Sequence, residues 1–235
     1  MERAAATPES EKEKGKKWIL LIALLLSLSV LIISLVFLAK IKGWTGRSEG
    51  MTLLVIVNAE QAAPEDQNQT LAFIDDEHML DLRCVGGLER LLADCRGAGF
   101  DPVITAAFRS ASEQRELLNE LADSYMAHGY DAESAKALAQ KEIALPGHSE
   151  HQLGLAVDII QNEETEKNQE GIQSWLSAHA WEYGFILRYP EGKESVTQHP
   201  YDPKHFRFVG PDASKQIHEL ELTLEEYVSM FYSNS

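Results

Sequence analysis

From Trp18 to Ala39 the chain carries no charged residue, and Leu, Ile, Val, Ala and Phe dominate. In a helix rising about 1.5 Å per residue, that run spans roughly 33 Å, enough to cross a bilayer core of about 30 Å. An uncharged stretch this long at the N-terminus argues against a buried core helix. A cleaved signal peptide has an apolar region of about 7–15 residues followed by a small-x-small site. Here the run is longer and ends in "VFLAKIKGW", with no such pair. It therefore reads as an uncleaved membrane anchor. Arg3, Lys12, Lys14, Lys16 and Lys17 precede it, whereas only Lys40, Lys42 and Arg47 follow. That asymmetry puts the N-terminus in the cytoplasm and the large domain outside. The expected organisation is a cytoplasmic tail over 1–17, an anchor over 18–39, a linker over 40–50 and an extracytoplasmic domain over 51–235.

Charge supports this division. Residues 1–49 carry a net +3, which leaves −19 on the remainder of a chain whose total is −16. So acidic a domain is repelled by nucleic acid and by anionic lipid heads, so no nucleic-acid partner is expected. An extracytoplasmic domain could pair its two cysteines, Cys84 and Cys95. On one helix their eleven-residue separation is about 16 Å, too far for a disulfide, which needs Cα atoms within about 7 Å. A bridge requires Cys84 to precede the helix.

Hydropathy patterning gives the elements. "TLLVIVN" (52–58) is apolar and β-rich, a candidate strand. "GLERLLADCRGAG" places Leu88, Leu91, Leu92 and Cys95 on one helical face. "DPVITAAF" (101–108) is a second strand candidate, followed by a helix capped by Ser110 or Ser112 and stopping near Gly129. A short helix over "DAESAKALAQKEIA", a strand over "GLAVDII", a helix over "EGIQSWLSAHAWEYG", and strands over "FILRYP" and "HFRFVG" complete the reading. Helices and short strands mix without regular alternation. The expected fold class is α+β, a small central antiparallel sheet flanked by helices and preceded by one transmembrane helix.

Chemistry concentrates in "PGHSEHQLGLAVDI" (146–159). His151 and Asp158 are seven apart, an odd spacing that puts them on opposite faces of a continuous strand. Gly154 between them can turn the chain, and Ala156 leaves room beside Asp158. An aspartate inside "LAVDII" needs a partner, because a lone charge in apolar surroundings is costly. A cation meets that need, and so does a hydrogen-bonded aspartate beside a surface histidine. A catalytic zinc requires a third ligand and one open position for water. His205, at the start of an apolar stretch, supplies a candidate. Asp202, three residues earlier, could act as general base. Arg109 follows the apolar "VITAAF" and offers fixed donors at a strand end, suited to a carboxylate or oxyanion. From these residues alone, a surface arginine paired with Glu113 is the favoured reading.

Ser149, His151, Gly154, Ala156 and Asp158 match S-x-H-x-x-G-x-A-x-D. "FRS" with Gln114 matches the R-S-x-x-x-Q part of a second segment, and "HFRFVG" matches the region of a last metal ligand. From about Leu53 to Gly210 the chain thus resembles the VanY-type D-alanyl-D-alanine carboxypeptidases, zinc peptidases of the bacterial cell wall. The resemblance implies one Zn2+ per domain, with His151, Asp158 and His205 as ligands. It implies Asp202 as base, Arg109 as substrate and transition-state clamp, and Ser149 and Gln114 lining the substrate site. The implied reaction is hydrolysis of the terminal D-Ala–D-Ala amide of peptidoglycan stem peptides by zinc-activated water, at the outer face of the cell membrane.

Two departures from the family pattern stand out. Its usual E-P-W-H is here Asp202-Pro203-Lys204-His205, and its S-G-Y before the arginine is Ala106-Ala107-Phe108. Aspartate is shorter by one methylene, and a base misplaced by about 1 Å can lose roughly a hundredfold in rate. Related peptidoglycan endopeptidases are similar in using aspartate here. Cleavage of another stem-peptide bond, or a wall-binding module without catalysis, are therefore the alternative readings. His148 and His199 lie near these motifs, and the remaining histidines fit no ligand position.

Overall fold

The computed structural model describes residues 52–65, 69–162 and 169–232, together with Ser34. The chain divides into two units, Met1–Glu49 and Gly50–Ser235. The expected tail, anchor and linker lie outside the described residues apart from Ser34, which is helical. Among the described residues no helix is long and apolar enough to cross a membrane.

The second unit is α+β. Strands β1 (Leu71–Phe73) and β2 (Met79–Asp81) form an antiparallel hairpin. Helix α1 (Leu82–Gly97) follows, with the Asp81 side chain accepting from the Arg83 N–H as its N-cap. Next come β3 (Pro102–Ala106), α2 (Ala111–Ala127) and α3 (Ala132–Glu142). Ser110 caps α2, and the Glu113 side chain returns to the Ser110 N–H, a capping box that uses Glu113 and leaves Arg109 for other work. A 3-10 turn (Glu150–Leu153) leads into β4 (Ala156–Gln161), then α4 (Gln169–His179) and a second 3-10 turn (Ala180–Tyr183). The chain continues through β5 (Phe185–Tyr189), α5 (Glu194–Thr197), β6 (Asp202–Phe208), α6 (Pro211–Glu219) and α7 (Leu224–Tyr232).

Strands β3, β4, β6 and β5, in that spatial order, make a four-stranded sheet that is antiparallel throughout. Its two faces differ in chemistry. Val157, Ile159, Phe185, Phe206 and Phe208 point one way and pack with Leu88, Leu91 and Cys95 of α1 and Ile172 and Leu176 of α4. The register pairs Asp158 with His205 and Ala156 with Arg207, so these four share the opposite face. The sheet is thus apolar toward the helices and polar toward the site.

The sheet carries two irregularities. Thr105 is an extra residue in β3 opposite the Asp158–Ile159 step. On β6, Pro203, Lys204 and His205 together face the single residue Arg188 of β5. Such bulges re-aim side chains. This one brings Asp202 and His205, at an odd spacing, to the lining of the same cavity.

Three expectations need correction or sharpening. Residues 52–58 form no strand. Leu54 and Val57 are buried, which produced the strand-like pattern, but the carbonyls of Leu53 and Val55 accept from Arg207 Nη2 at 3.0 and 2.9 Å instead of from a ladder. Cys84 and Cys95 lie on one helix and are free and buried, as the helical distance requires. The hairpin β1–β2 and the helices α6 and α7 lay outside the sequence reading.

Helix α1 approaches the second 3-10 turn so closely that a Cβ on Gly87 would lie 2.5 Å from the Tyr183 carbonyl oxygen. Backbone cannot yield as a flexible side chain does. Gly87→Ala should destabilise the domain by about 2 kcal/mol and lower its melting temperature by roughly 4–8 °C; an unchanged melting temperature would refute this packing.

Candidate metal centre

Gly154 ends the 3-10 turn at φ +67, and a Cβ there would lie 3.0 Å from Leu71 Cδ2 and 3.3 Å from the Asp81 nitrogen. Only glycine meets both demands. The turn it closes lifts His151 out of the strand and solves the odd spacing to Asp158. His151 is then tied to the end of β3 twice. Its Nδ1–H donates to the Ala107 carbonyl at 2.8 Å, and its own carbonyl accepts from the Arg109 N–H at 3.2 Å. That fixes the ring and leaves Nε2 facing Asp158 Oδ1 at 3.4 Å.

His205 comes from the strand beside Asp158, with Nδ1 2.9 Å from Asp158 Oδ1. The two imidazoles meet edge to face, with centroids 4.9 Å apart. His151, Asp158 and His205 are buried, and their ligand atoms lie within 4.8 Å of one another. Tetrahedral zinc, bound at about 2.0–2.2 Å, needs ligand atoms roughly 3.3–3.5 Å apart. Two imidazoles and one carboxylate are the donor set of a catalytic zinc, with a fourth position left open. The residues fit the metal. Among the described residues this is the one cluster of its kind.

Electrostatics agree with a cation site. Burial pushes the Asp158 carboxyl up, but hydrogen bonds with His151 and His205 outweigh it and hold the group far below the usual carboxylate range. Burial lowers the His151 pKa, keeping it a neutral ligand. Burial also works against a charged His205, yet its hydrogen bonds to Asp158 and Glu150 prevail and lift it to about 9.

Glu150 escaped the sequence reading. It is buried, and its Oε1 accepts from Arg188 Nε and Arg207 Nη1, both at 2.7 Å. Its Oε2 lies 3.4 Å from His205 Nε2. Burial raises the Glu150 pKa, but the two guanidiniums hold it far below the usual range. The clue was available. Arginines inside the apolar strands "FILRYP" and "HFRFVG" require a buried acid.

A cavity of about 500 Å³ opens over the cluster. Arg109, Gln114, Ser149 and Asp202 line it with the three candidate ligands. Arg109 Nη1 donates to Gln114 Oε1 at 2.8 Å, and Gln114 Nε2 donates to the Ala144 carbonyl at 2.7 Å. Gln114 therefore aims the arginine and is itself fixed by the segment after α3. Asp202 is half-buried, and its Oδ1 accepts from the Lys204 N–H at 3.2 Å. Lys204 Nζ approaches Asp158 Oδ2 at 3.8 Å. His148 and His199 also line the cavity. His148 Nδ1 donates to the Asn58 carbonyl, and His199 stacks on Tyr189 at 3.9 Å between centroids.

The family model for VanY, D-alanyl-D-alanine carboxypeptidase, matches residues 77–211. The chain belongs to this family. A D-alanyl-D-alanine carboxypeptidase of Enterococcus faecalis is 35% identical over 183 residues, covering 75% of this chain and 65% of that protein. The match thus spans just under two thirds of that relative's length. A vancomycin-resistance D,D-pentapeptidase VanY in complex with Zn(II) shares the fold at a TM-score of 0.69 and 34% identity, over 75% of this chain and 99% of the other. VanYB in complex with D-alanine-D-alanine matches equally well, at a TM-score of 0.69 and 34% identity, over 76% of this chain and 98% of that one.

Two measurements test the centre. His151→Ala and His205→Ala should each abolish stoichiometric zinc in metal analysis; zinc retained in both contradicts the ligand set. Metal binding must also displace the His205 proton at any pH below about 9. Zinc affinity should therefore rise with pH, by up to about tenfold per unit between pH 7 and 9, with about one proton released per zinc. A pH-independent affinity over that range would contradict the arrangement.

Proposed function

We propose that this chain is a membrane-anchored zinc carboxypeptidase that removes the terminal D-Ala from peptidoglycan stem peptides outside a bacterial cell. One observation carries the reading: His151, Asp158 and His205 converge in a cavity that Asp202 and Arg109 also line. The likeness to a VanY protein solved with Zn(II) and to VanYB solved with D-alanine-D-alanine supports the metal and the substrate class. The uncharged run over 18–39 supports an anchor with residues 51–235 extracytoplasmic.

Zinc, held by His151, Asp158 and His205, one per domain, would supply Lewis acidity toward water and the scissile carbonyl. The chain supplies the rest. Asp202, at the mouth of the cavity, takes the proton of the attacking water on its carboxylate and passes it to the leaving D-Ala amine. Arg109, pointed by Gln114, offers its guanidinium to the carbonyl oxygen as negative charge develops there. Ser149, buried beside His151, lines the substrate side with a hydroxyl. The bulge at Pro203–His205 immediately follows Asp202, so the local backbone there sets how far the shorter aspartate reaches into the cavity.

Positioned proton transfer contributes about 10²–10⁴-fold. Asp202→Ala should lower turnover of a D-Ala–D-Ala peptide by that range while zinc content and melting temperature stay at wild-type values. Unchanged turnover would remove Asp202 from the role of base. Loss of zinc would make it part of the metal site instead.

A further inference from the structure

The last helix, α7, lies beyond the residues matched by the family model, yet an ion pair links it to the metal centre. Arg188 is fully buried in β5 and divides its guanidinium between two acids. Nε donates to Glu150 Oε1 at 2.7 Å, Nη1 donates to Glu225 Oε2 at 3.0 Å, and Nη2 donates to Glu225 Oε1. Glu225 is the second residue of α7 and is itself largely covered, with 16% of its side chain exposed. Glu150 in turn faces His205 Nε2, while His205 Nδ1 faces Asp158. A continuous chain of contacts therefore runs from Glu225 through Arg188 and Glu150 to a candidate metal ligand.

The charge balance shows what this chain does. Glu150 is in contact with two guanidiniums, Arg188 and Arg207, which leaves that buried trio with a net +1. Glu225 brings the layer behind His205 to neutrality. An uncompensated positive charge in low-dielectric surroundings opposes a divalent cation nearby far more than it would in water. The contact on Nε2 also fixes the ring and its tautomer, the usual service of a partner behind a metal-ligating histidine.

We infer that Glu225, acting through Arg188 and Glu150, is a positioning residue that sets the metal affinity of the centre. The inference rests on the zinc reading of His151, Asp158 and His205. Glu225 touches neither substrate nor metal. Its effect is to hold Arg188 in its bidentate arrangement and to cancel the charge that would otherwise weaken cation binding.

The test uses the full chain and zinc alone, titrated in competition with a chromophoric chelator, alongside the melting temperature of the metal-free protein. Partners behind metal ligands are typically worth about 10–100-fold in affinity. Glu225→Gln should weaken zinc binding by about tenfold or more, and excess zinc should restore wild-type activity. Glu225→Asp, which keeps the charge on a shorter arm, should fall between the two and serves where Glu225→Gln does not fold. The spectrum of Co(II) at the site should change in both variants. A lowered melting temperature with the zinc dissociation constant within about twofold of wild type overturns the inference and leaves Glu225 a structural ion pair. A His151→Ala variant that binds zinc as tightly as wild type would instead sink the metal-site reading, so the two failures are distinguishable.

Discussion

Glu150 is a carboxylate shut away from water between Arg188 and Arg207, on the adjacent strands β5 and β6. Much of the molecule depends on that contact. Arg207 reaches from it to the carbonyls of Leu53 and Val55, which fastens the first described segment of the domain. Arg188 reaches from it to Glu225, which fastens the last helix. Glu150 itself belongs to the turn that carries His151, and its other oxygen faces His205. Removing one member of such a buried network leaves an unpaired charge and costs about 3–5 kcal/mol. The network is therefore stable only when complete, and when complete it fixes the strands, the turn and the two imidazoles relative to one another.

The sheet makes this possible by separating its two faces. The apolar face packs on α1 and α4, and it supplies stability without constraining the chemistry. The polar face carries Asp158, His205 and Arg207 in one register. The bulge at Pro203–His205 lets Asp202 and His205, at an odd spacing, line one cavity, while the bulge at Thr105 shifts the end of β3, just before Arg109. The candidate metal site with its nearby carboxylate thus arises from strand register at Asp158 and His205, from the glycine-closed turn that carries His151, and from the bulge that follows Asp202.

How far the sequence revealed this depends on the range of each interaction. His151, Gly154, Ala156 and Asp158 lie within one short stretch, where a glycine turn and an alternating strand allow a metal site and a hydrogen-bonded aspartate alike; His205, far along the chain, and the family resemblance decide between them. Strands β3, β4, β5 and β6 followed from short apolar runs. Residues 52–58 were misread because burial of Leu54 and Val57 mimics a strand, while the guanidinium that occupies their carbonyls comes from Arg207, far along the chain. Glu150 was passed over because a glutamate beside a histidine looks like solvated surface until both arginines are seen to converge on it. The hairpin β1–β2 is too short, at three residues a strand, to leave a periodic pattern.

At the mouth of the cavity, Asp202 and Lys204 replace the family's usual glutamate and tryptophan. The ammonium of Lys204 near Asp158 Oδ2 adds positive charge where an aromatic wall would stand, in a cavity that Arg109 also lines. The chemistry expected of the site survives these changes only if the bulged start of β6 carries Asp202 far enough forward. Mass spectrometry of a stem pentapeptide ending in D-Ala–D-Ala, incubated with the chain in zinc or in chelator, tests this most directly. The account predicts release of a single D-Ala with zinc and none with chelator. Release of a larger fragment, or cleavage that persists undiminished in chelator, would contradict it.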